Sequence, residues 1–473
     1  MSEQLDLVVL GGGTGGYVAA IRAAQLGMNV AVVEKGKVGG TCLHAGCIPS
    51  KALLRSAEVF VQTKESDAFG ILASQISLDF AKVQARKESI VNQLHQGVEY
   101  LLKKGKIRVI QGTGRIMGPS IFSPRAGAIN VEYEDGETEI LQPNHVIIAT
   151  GSHPKTLPGL HIDGKRVMTS DEALVMEELP RSIIIVGGGV IGIEWASMLH
   201  DFGVDVTILE YAPRILPLED EEISKEMTRL FKKRKIKIIT SAKVLPDTLE
   251  LSELGVTIQA EHQGETKSFS AERMLVSVGR GANAEGIGLQ STNIKVERGA
   301  IQVNEDYQTA EPHIYAIGDC IGGLQLAHVA SHEGIHAVEH MAGLQPEPLQ
   351  YEQIARCTYS RPEVASVGIT EQEAKERGYE VKVGKMPFKG IGKALVQGEA
   401  DGFVKIIADA KSNDILGVHM VGPHVTNLIS EAALAQFLNA TPWEIGSMVH
   451  PHPTLSEVMG EAALAVDGNA IHI

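Results

Sequence analysis

Leu5-Asp6-Leu7-Val8-Val9-Leu10-Gly11-Gly12-Gly13-Thr14-Gly15-Gly16-Tyr17 decides the fold. The apolar run from Leu5 to Leu10 reads as a strand, the glycines as a tight turn, and Tyr17 to Leu26 as a helix. Gly27 then breaks the chain before a second strand, Val30 to Val33, that ends at Glu34. This is a βαβ unit carrying G-x-G-x-x-G at Gly11, Gly13 and Gly16. Its glycines let a pyrophosphate approach the helix N-terminus, and Glu34 stands where an acid accepts ribose hydroxyls. A lone G-x-G-x-x-G is weak, because glycine-rich turns are common. Here strand, helix and terminal acid all fall where the motif requires them.

The same unit returns between Arg181 and Glu210, with strand Ile183 to Val186, glycines Gly187, Gly189 and Gly192, and strand Val206 to Leu209. Gly187 answers to Gly11, Gly203 to Gly27 and Glu210 to Glu34 at one offset of 176 residues. One chain therefore carries two dinucleotide sites. Both second strands lead to Glu, which repels a 2′-phosphate and favours NAD or FAD over NADP. Arg214 reads as surface charge rather than a phosphate clamp, because Glu210 occupies the discriminating position.

At 473 residues the chain is too long for one ordinary core, and 44% hydrophobic content with 50 glycines points to an α/β protein of several domains. Met1-Ser2-Glu3-Gln4 is polar, and no run reaches the roughly 18 apolar residues of a membrane span, so a cytoplasmic location is expected. A formal charge of −15 opposes binding to nucleic acid or anionic membranes and would favour a basic protein partner. The 17 histidines show no zinc-type spacing with cysteine, and no metal is expected.

Between the repeats, residues 56–102 are helical in pattern, short strands follow from Ile107 to Ile140, and Val146 to Ala149 forms an apolar strand leading to Thr150-Gly151. Beyond the second unit, Met274 to Val278 with Gly279-Arg280 reads as a strand and exit turn. Ile314 to Ile317 reads as a buried strand leading to Asp319, which is either a sugar ligand or a plain turn residue. Gly343 to Pro348 has linker chemistry. The remainder alternates strands, at Ile354–Tyr359, Glu380–Phe388, Gly402–Ala408 and Ile415–Val421, with helices at Glu371–Arg377 and Asn427–Asn439, an α+β pattern without a glycine loop.

Two of the four cysteines, Cys42 and Cys47, lie five positions apart in Gly39-Gly40-Thr41-Cys42-Leu43-His44-Ala45-Gly46-Cys47-Ile48-Pro49-Ser50-Lys51. Residues i and i+5 of an ideal helix have Cα atoms roughly 8.7 Å apart, beyond the ~7 Å reach of a disulfide. Pairing them needs a distorted turn, for which Gly46 supplies the freedom, with Pro49 in the first turn of the following helix. Cys47 would then sit at a helix N-terminus, which favours its thiolate. The pair is a redox couple, a structural disulfide or two buried thiols; stable disulfides are uncommon in the cytoplasm, which favours the first. A redox couple exchanging with a dithiol needs a base, and His452 with Glu457 could supply one. Thr454-x-x-Glu457 is equally a capping box in which Glu457 only caps a helix.

Together these residues resemble the dihydrolipoyl dehydrogenases, the flavoprotein E3 components of 2-oxo acid dehydrogenase complexes within the pyridine nucleotide–disulfide oxidoreductase family. The resemblance spans the chain. It rests on GGTC-x4-CIPSKALL at Gly39 to Leu54, both glycine units, ATG at Ala149 to Gly151, AIGD at Ala316 to Asp319 and HPHPTLSE at His450 to Glu457. It implies two Rossmann-like dinucleotide-binding domains and a C-terminal α+β dimerisation domain: 1–150 for FAD, 151–272 for NAD, 273–348 completing the FAD site and 349–473 at the dimer interface.

By position, the resemblance implies that Cys42 is the interchange thiol and Cys47 the flavin-side thiolate. His452 would be a base supplied from the other subunit and oriented by Glu457. Lys51 and Glu194 would form an ion pair near the flavin, Asp319 would bind the ribityl chain, Ala327 would contact the flavin ring, and Val190 would gate the nicotinamide. Further cofactor contacts are implied at Gly11, Gly13, Thr14, Gly16, Glu34, Thr41, Thr150 and Gly151 for FAD, and at Gly187, Gly189, Gly192, Glu210 and Gly279 for NAD. The implied activity is oxidation of protein-bound dihydrolipoamide with NAD, in a homodimer that meets the lipoyl and subunit-binding domains of an E2 acyltransferase. Overall resemblance leans towards the branched-chain complex. Glu210, Val190 and the absence of a C-terminal cysteine pair argue against a glutathione-type reductase, and the complete Cys/Cys/His/Glu set argues against a purely architectural role. Three positions depart from the commoner pattern: His44 where Asn is frequent, Cys320 where Val is frequent and Arg361 where His is frequent. Cys320 and Cys357 read as buried small hydrophobes.

Overall fold

The computed structural model describes residues 4–119 and 125–472. Its chain divides into two compact units, one made of residues up to Ala52, Lys82–Lys155 and Arg280–Leu349, the other of Leu53–Ala81, Thr156–Gly279 and Gln350 onward.

In the first unit, β1 (Leu7–Leu10), α1 (Thr14–Gln25) and β2 (Val30–Glu34) form the expected βαβ unit. The short helix α2 (Gly40–His44) is followed by α3 (Cys47–Lys64), which leaves this unit after Ala52, by α4 (Phe80–Lys104), which belongs to it from Lys82, and by β3 (Arg108–Gln111) and β4 (His145–Ile148). Ile314–Ala316, β4, β1, β2 and β3 make one five-stranded sheet, parallel throughout. Val8, Ala31, Val146 and Ile148 are fully buried, and each such aliphatic side chain contributes about 1.5–3 kcal/mol on burial. Covering on both faces explains the continuous apolar runs in place of alternation. The meander Thr113–Met117, Ala128–Glu132, Thr138–Leu141 adds a separate antiparallel sheet.

The second unit repeats the theme with β5 (Val167–Met168), β6 (Ser182–Val186), α5 (Val190–Asp201), β7 (Asp205–Leu209), α6 (Glu221–Lys233), β8 (Lys237–Ile239) and β9 (Arg273–Val276). Its parallel sheet runs β8-β7-β6-β9-β5. An antiparallel ribbon, Ala242–Ser252, Gly255–His262 and Glu265–Ala271, lies between β8 and β9 in sequence and had no assignment from pattern alone. The C-terminal part is an antiparallel five-stranded sheet, in order Arg356–Thr358, Glu363–Gly368, Ile415–Gly422, Phe403–Asp409, Val381–Pro387. Strand Glu363–Gly368 was also unassigned. Its interior is buried on both faces, and its small residues Ala365, Ser366 and Gly368 give no strand-like alternation. Helices α7 (Val425–Phe437), α8 (Pro442–Ser447) and α9 (Glu457–Val466) follow. Among the described residues no helix is long and apolar enough to cross a membrane.

Candidate active site

The two glycine loops are built alike, bond for bond. Gly11 has φ +105° and Gly187 +111°. A Cβ on Gly11 would stand 2.2 Å from the Ala149 carbonyl oxygen, and one on Gly187 2.4 Å from that of Ser277. Gly16 and Gly192 close the turns, each leaving a hypothetical Cβ 1.9 Å from the carbonyl oxygen of Gly11 or Gly187. Gly13 and Gly189 are the N-cap residues of α1 and α5, with no side-chain cap in either case. The first-turn amides are thus left for an anion, as a pyrophosphate requires.

Glu34 accepts the Gly12 amide at 2.7 Å and the Gly36 amide at 2.8 Å. At the same offset Glu210 accepts the amides of Gly188 and, at 2.5 Å, Ala212. Each carboxylate is held at its glycine loop by two backbone amides. The cradles, donor ends and acids fit a dinucleotide in each unit. Val190 is the first residue of α5 and is 43% exposed, whereas Glu194 is buried and accepts the Tyr359 amide at 2.9 Å.

The cysteine stretch folds as the need for a distorted turn predicted. Helix α2 stops at His44, Ala45 adopts φ −140° and ψ 30°, and α3 begins at Cys47 itself. A Cβ at Gly46 would stand 2.9 Å from the Thr41 carbonyl oxygen, so glycine permits the close return. The Cys42 thiol is hydrogen-bonded to Cys47. That bond, then burial, then the charge of Cys47 push the Cys42 thiol far above its ordinary range, while Thr14 and the Lys51 ammonium pull the other way. Cys47 lies at the positive end of α3, where a helix N-terminus favours a thiolate. Tyr17, in the first turn of α1, has its phenol pushed up, chiefly by burial. Sequence pattern gave no sign of Tyr17, nor of the Thr14 contact with Cys42.

Asp319 lies in a 3-10 turn directly after the strand Ile314–Ala316, where the Ser152 hydroxyl donates to it and Arg280 stands 3.9 Å away. Arg280 also donates to the Ser152 hydroxyl at 2.7 Å and to its carbonyl at 2.9 Å, fixing the Thr150-Gly151 exit turn. Asn283 adds bonds to Thr150 of 2.6 and 2.9 Å. Ala327 opens a helix, Ala327–Met341, whose N-terminus has no side-chain cap. His44 and His95 both bond the Val38 carbonyl, at 2.9 and 3.0 Å, their rings edge to face with centroids 5.1 Å apart. Cys320 is fully buried and its thiol reaches the Ile317 carbonyl at 3.1 Å, with its pKa pushed up to about 11 by burial. Cys357 is half-buried against the C-terminal core.

Both carboxylate oxygens of Glu457 are engaged. One carboxylate oxygen bonds His452 Nδ1 at 2.8 Å and the other accepts the Thr454 amide at 2.9 Å. The Thr454 hydroxyl donates to the Pro451 carbonyl at 2.7 Å instead of to a helix amide, and α9 starts only at Glu457. Only half of a capping box exists, and the other oxygen is hydrogen-bonded to the imidazole. Burial pushes the Glu457 carboxyl up, but the bonds to His452 and the Thr454 amide outweigh it and hold the group below the usual carboxylate range. The His452 side chain is 76% exposed, with Nε2 turned away from its orienting acid.

Residues 5–334 match the pyridine nucleotide-disulphide oxidoreductase family, and residues 354–463 match the dimerisation domain of the same family. The dihydrolipoyl dehydrogenase of Bacillus subtilis is 67% identical over 473 residues, covering 100% of both chains. That of Zymomonas mobilis is 45% identical, again over 100% of both. Among solved structures, LpdA from Mycobacterium tuberculosis aligns with a TM-score of 0.90 at 27% identity, over 97% of this chain and 98% of that one. The flavoprotein disulfide reductase RclA of Escherichia coli, in its Cu(II) complex, aligns with a TM-score of 0.85 at 25% identity, over 98% and 99%. The enzymes of this family use FAD and NAD, the two groups that the paired glycine loops fit. With both family matches in sequence order and full-length identity of this level, the chain belongs to the pyridine nucleotide-disulphide oxidoreductases and, within them, to the dihydrolipoyl dehydrogenases.

Proposed function

We propose that the protein is the E3 component of a 2-oxo acid dehydrogenase complex, oxidising dihydrolipoamide on an E2 acyltransferase and passing the electrons to NAD. The observation that carries this reading is the Cys42–Cys47 pair itself, with the Cys42 thiol bonded to Cys47 and Cys47 opening α3. A pair so placed can take up the two electrons of a substrate dithiol. In the forward direction His452 Nε2 takes a proton from one substrate thiol, and the thiolate attacks the Cys42 sulfur of the oxidised pair. The Cys42–Cys47 bond breaks, Cys47 leaves as a thiolate, and a mixed disulfide joins Cys42 to the substrate. The second substrate thiol gives up its proton and attacks its own partner sulfur. This breaks the mixed disulfide, closes the substrate disulfide and releases Cys42, which takes the first proton from His452, while the proton of the second substrate thiol passes to the freed Nε2. The substrate has lost two electrons and two protons, and the reduced pair holds the electrons. Bound FAD supplies the relay between this pair and NAD.

Glu457 keeps the His452 proton on Nδ1 so that Nε2 is free to act as base. Cofactor roles follow by position: Gly11, Gly13, Thr14, Gly16, Glu34, Thr41, Thr150, Gly151, Asp319 and Ala327 toward FAD, Lys51 and Glu194 as an ion pair near it, and Gly187, Gly189, Val190, Gly192, Glu210 and Gly279 toward NAD. We assign 1–150 to FAD binding, 151–272 to NAD binding, 273–348 to completion of the FAD site and 349–473 to dimerisation. Pairing of Ile314–Ala316 with β4 supports the third assignment.

His452 then serves the cysteine pair of a second copy in a homodimer. Exposed apolar side chains run from Leu434, Phe437 and Leu438 at the end of α7 to Trp443 on α8 and on to Met448 and Val449, a surface suited to a partner subunit. The lipoyl and subunit-binding domains of E2 are the proposed partners, branched-chain 2-oxo acids the proposed substrates of the host complex on overall resemblance, and the cytoplasm the proposed location. Turnover of dihydrolipoamide with NAD, set beside glutathione disulfide with NADPH, tests the activity. Faster turnover of the second pair would overturn it, and capture of the acyltransferase partner tests the complex.

A further inference from the structure

Helix α5 starts at the nicotinamide gate residue Val190 and carries Glu194, Ser197 and Asp201 at the following positions i+4, i+7 and i+11. These four share one helix face. The turn Tyr359–Pro362 lies along that face and grips it at three heights. The Tyr359 amide donates to Glu194 at 2.9 Å, the Arg361 amide to the Ser197 hydroxyl at 2.8 Å, and the Arg361 guanidinium to both Asp201 oxygens at 2.9 and 3.3 Å. Ser360 braces the turn by donating to the Pro362 carbonyl at 2.7 Å. Arg234, the C-cap of α6, adds bonds to Asp201 at 2.6 Å and to the Ser197 hydroxyl at 3.1 Å, and it also donates to the Arg361 carbonyl. Glu65 stands 3.8 Å from the Arg361 guanidinium. Glu194, Ser197 and Asp201 are buried, so water does not replace these partners readily.

The far end of the turn continues into strand Glu363–Gly368, the second strand of the C-terminal sheet. The grip therefore joins α5 to a rigid antiparallel sheet rather than to a loop. Bonds spread over two helical turns fix both the rotation of α5 about its axis and its position along it. Either displacement would move Val190 and the uncapped first-turn amides together, because a helix shifts as a unit. We propose that Arg361, acting through Asp201 and Ser197, is a positioning residue for the nicotinamide end of NAD, setting the placement of Val190 and Glu194 from the C-terminal sheet. The proposal rests on the assignment of NAD to the second glycine loop.

The test uses the FAD-loaded dimer. Arg361→Met keeps an unbranched apolar stem and removes the donors, while Arg234 still neutralises Asp201, so no bare charge is left in the interior. Arg361→Lys restores one charged donor, and Ser197→Ala removes the acceptor shared by the Arg361 amide and one Arg234 donor while changing no formal charge. For each variant the KM and kcat for NAD, the rate of reoxidation by NAD and the rate of reduction by dihydrolipoamide are measured, together with the melting temperature. Misplacement of a reacting group by about 1 Å costs up to about a hundredfold. Arg361→Met should therefore raise the KM for NAD, or slow reoxidation by NAD, at least about tenfold, with reduction by dihydrolipoamide within about twofold of the parent. Arg361→Lys should recover most of the loss, and Ser197→Ala should show a smaller effect in the same direction. Unchanged NAD kinetics in Arg361→Met and Ser197→Ala would overturn the proposal, as would a parallel fall in both half-reactions that tracks melting. If Arg361→Met fails to fold, Ser197→Ala decides. NAD saturation of the parent enzyme is the control: its failure would instead overturn the assignment of NAD to this loop.

Discussion

Glu457→Gln is the sharpest perturbation of the base. In the structure two N–H groups converge on this side chain, His452 Nδ1 at 2.8 Å and the Thr454 amide at 2.9 Å, and a carboxylate accepts both. Glutamine has the same shape but only one oxygen. If that oxygen stays with Thr454, the amide NH2 faces His452 Nδ1 and turns it into an acceptor. The ring proton then moves to Nε2, the atom that must be free to accept a proton from substrate. If the oxygen turns to His452 instead, two donors meet at Thr454, which costs about 1–3 kcal/mol. The first arrangement is the cheaper one, so the substitution should stabilise the wrong tautomer. General bases contribute about 10² to 10⁴ in rate, and in serine proteases a loss of about 10⁴ follows when the acid orienting the histidine becomes an amide. Turnover of dihydrolipoamide should fall at least about 10²-fold, whereas NADH oxidation by artificial acceptors should stay within about twofold. The lost half-cap should lower stability by no more than about 1 kcal/mol. Steady-state kinetics with both acceptors and a thermal melt read all three. Turnover within about threefold of the parent, accompanied by a clear drop in melting temperature, would refute the orienting role and leave Glu457 a capping residue.

Three further outcomes follow from the same geometry. Glu210→Ala removes the acid that holds the Gly188 and Ala212 amides, and should narrow the preference for NAD over NADP; equal turnover of both cofactors by the parent would contradict the reading. Two-electron reduction should give a long-wavelength absorbance band of a thiolate beside oxidised flavin, kept by Cys42→Ser and abolished by Cys47→Ser, and the reverse pattern would exchange the roles of the two cysteines. Gly11→Ala places a Cβ 2.2 Å from the Ala149 carbonyl at a φ of +105°, so the purified protein should carry little FAD, measured by its visible absorbance; full loading would remove the glycine loop from the binding account.

The parts of this molecule legible in sequence are those where one residue type is demanded by backbone geometry. Gly11 and Gly187, Gly16 and Gly192, and Glu34 and Glu210 stand at a single offset because each pair solves the same steric problem, and the structure repeats their bonds at that offset too. Cys47 at a helix N-terminus was legible for a similar reason, with Gly46 and Pro49 marking the break and restart. Contacts between groups distant in sequence were not. Thr14 meets Cys42 and Arg280 meets Ser152 through the folding of separate segments, and neither has a local signature. Glu457 was ambiguous because capping and orienting use the same spacing, and only the start of α9 separates them. Strand Glu363–Gly368 was missed because burial on both faces erases the alternation by which strands are read.

The central claim is that the cysteine pair of one subunit and His452 of another form a single working site. Its most direct test is a mixed dimer of His452→Gln and Cys42→Ser subunits, purified by two different tags. Neither homodimer should oxidise dihydrolipoamide at an appreciable rate, since one lacks the base and the other the interchange thiol. In the mixed dimer one site regains both groups while the other loses both, so turnover should return to about half that of the parent dimer, as expected for independent sites. A verified mixed dimer as inactive as the two homodimers would place Cys42 and His452 in the same subunit's site and contradict the account.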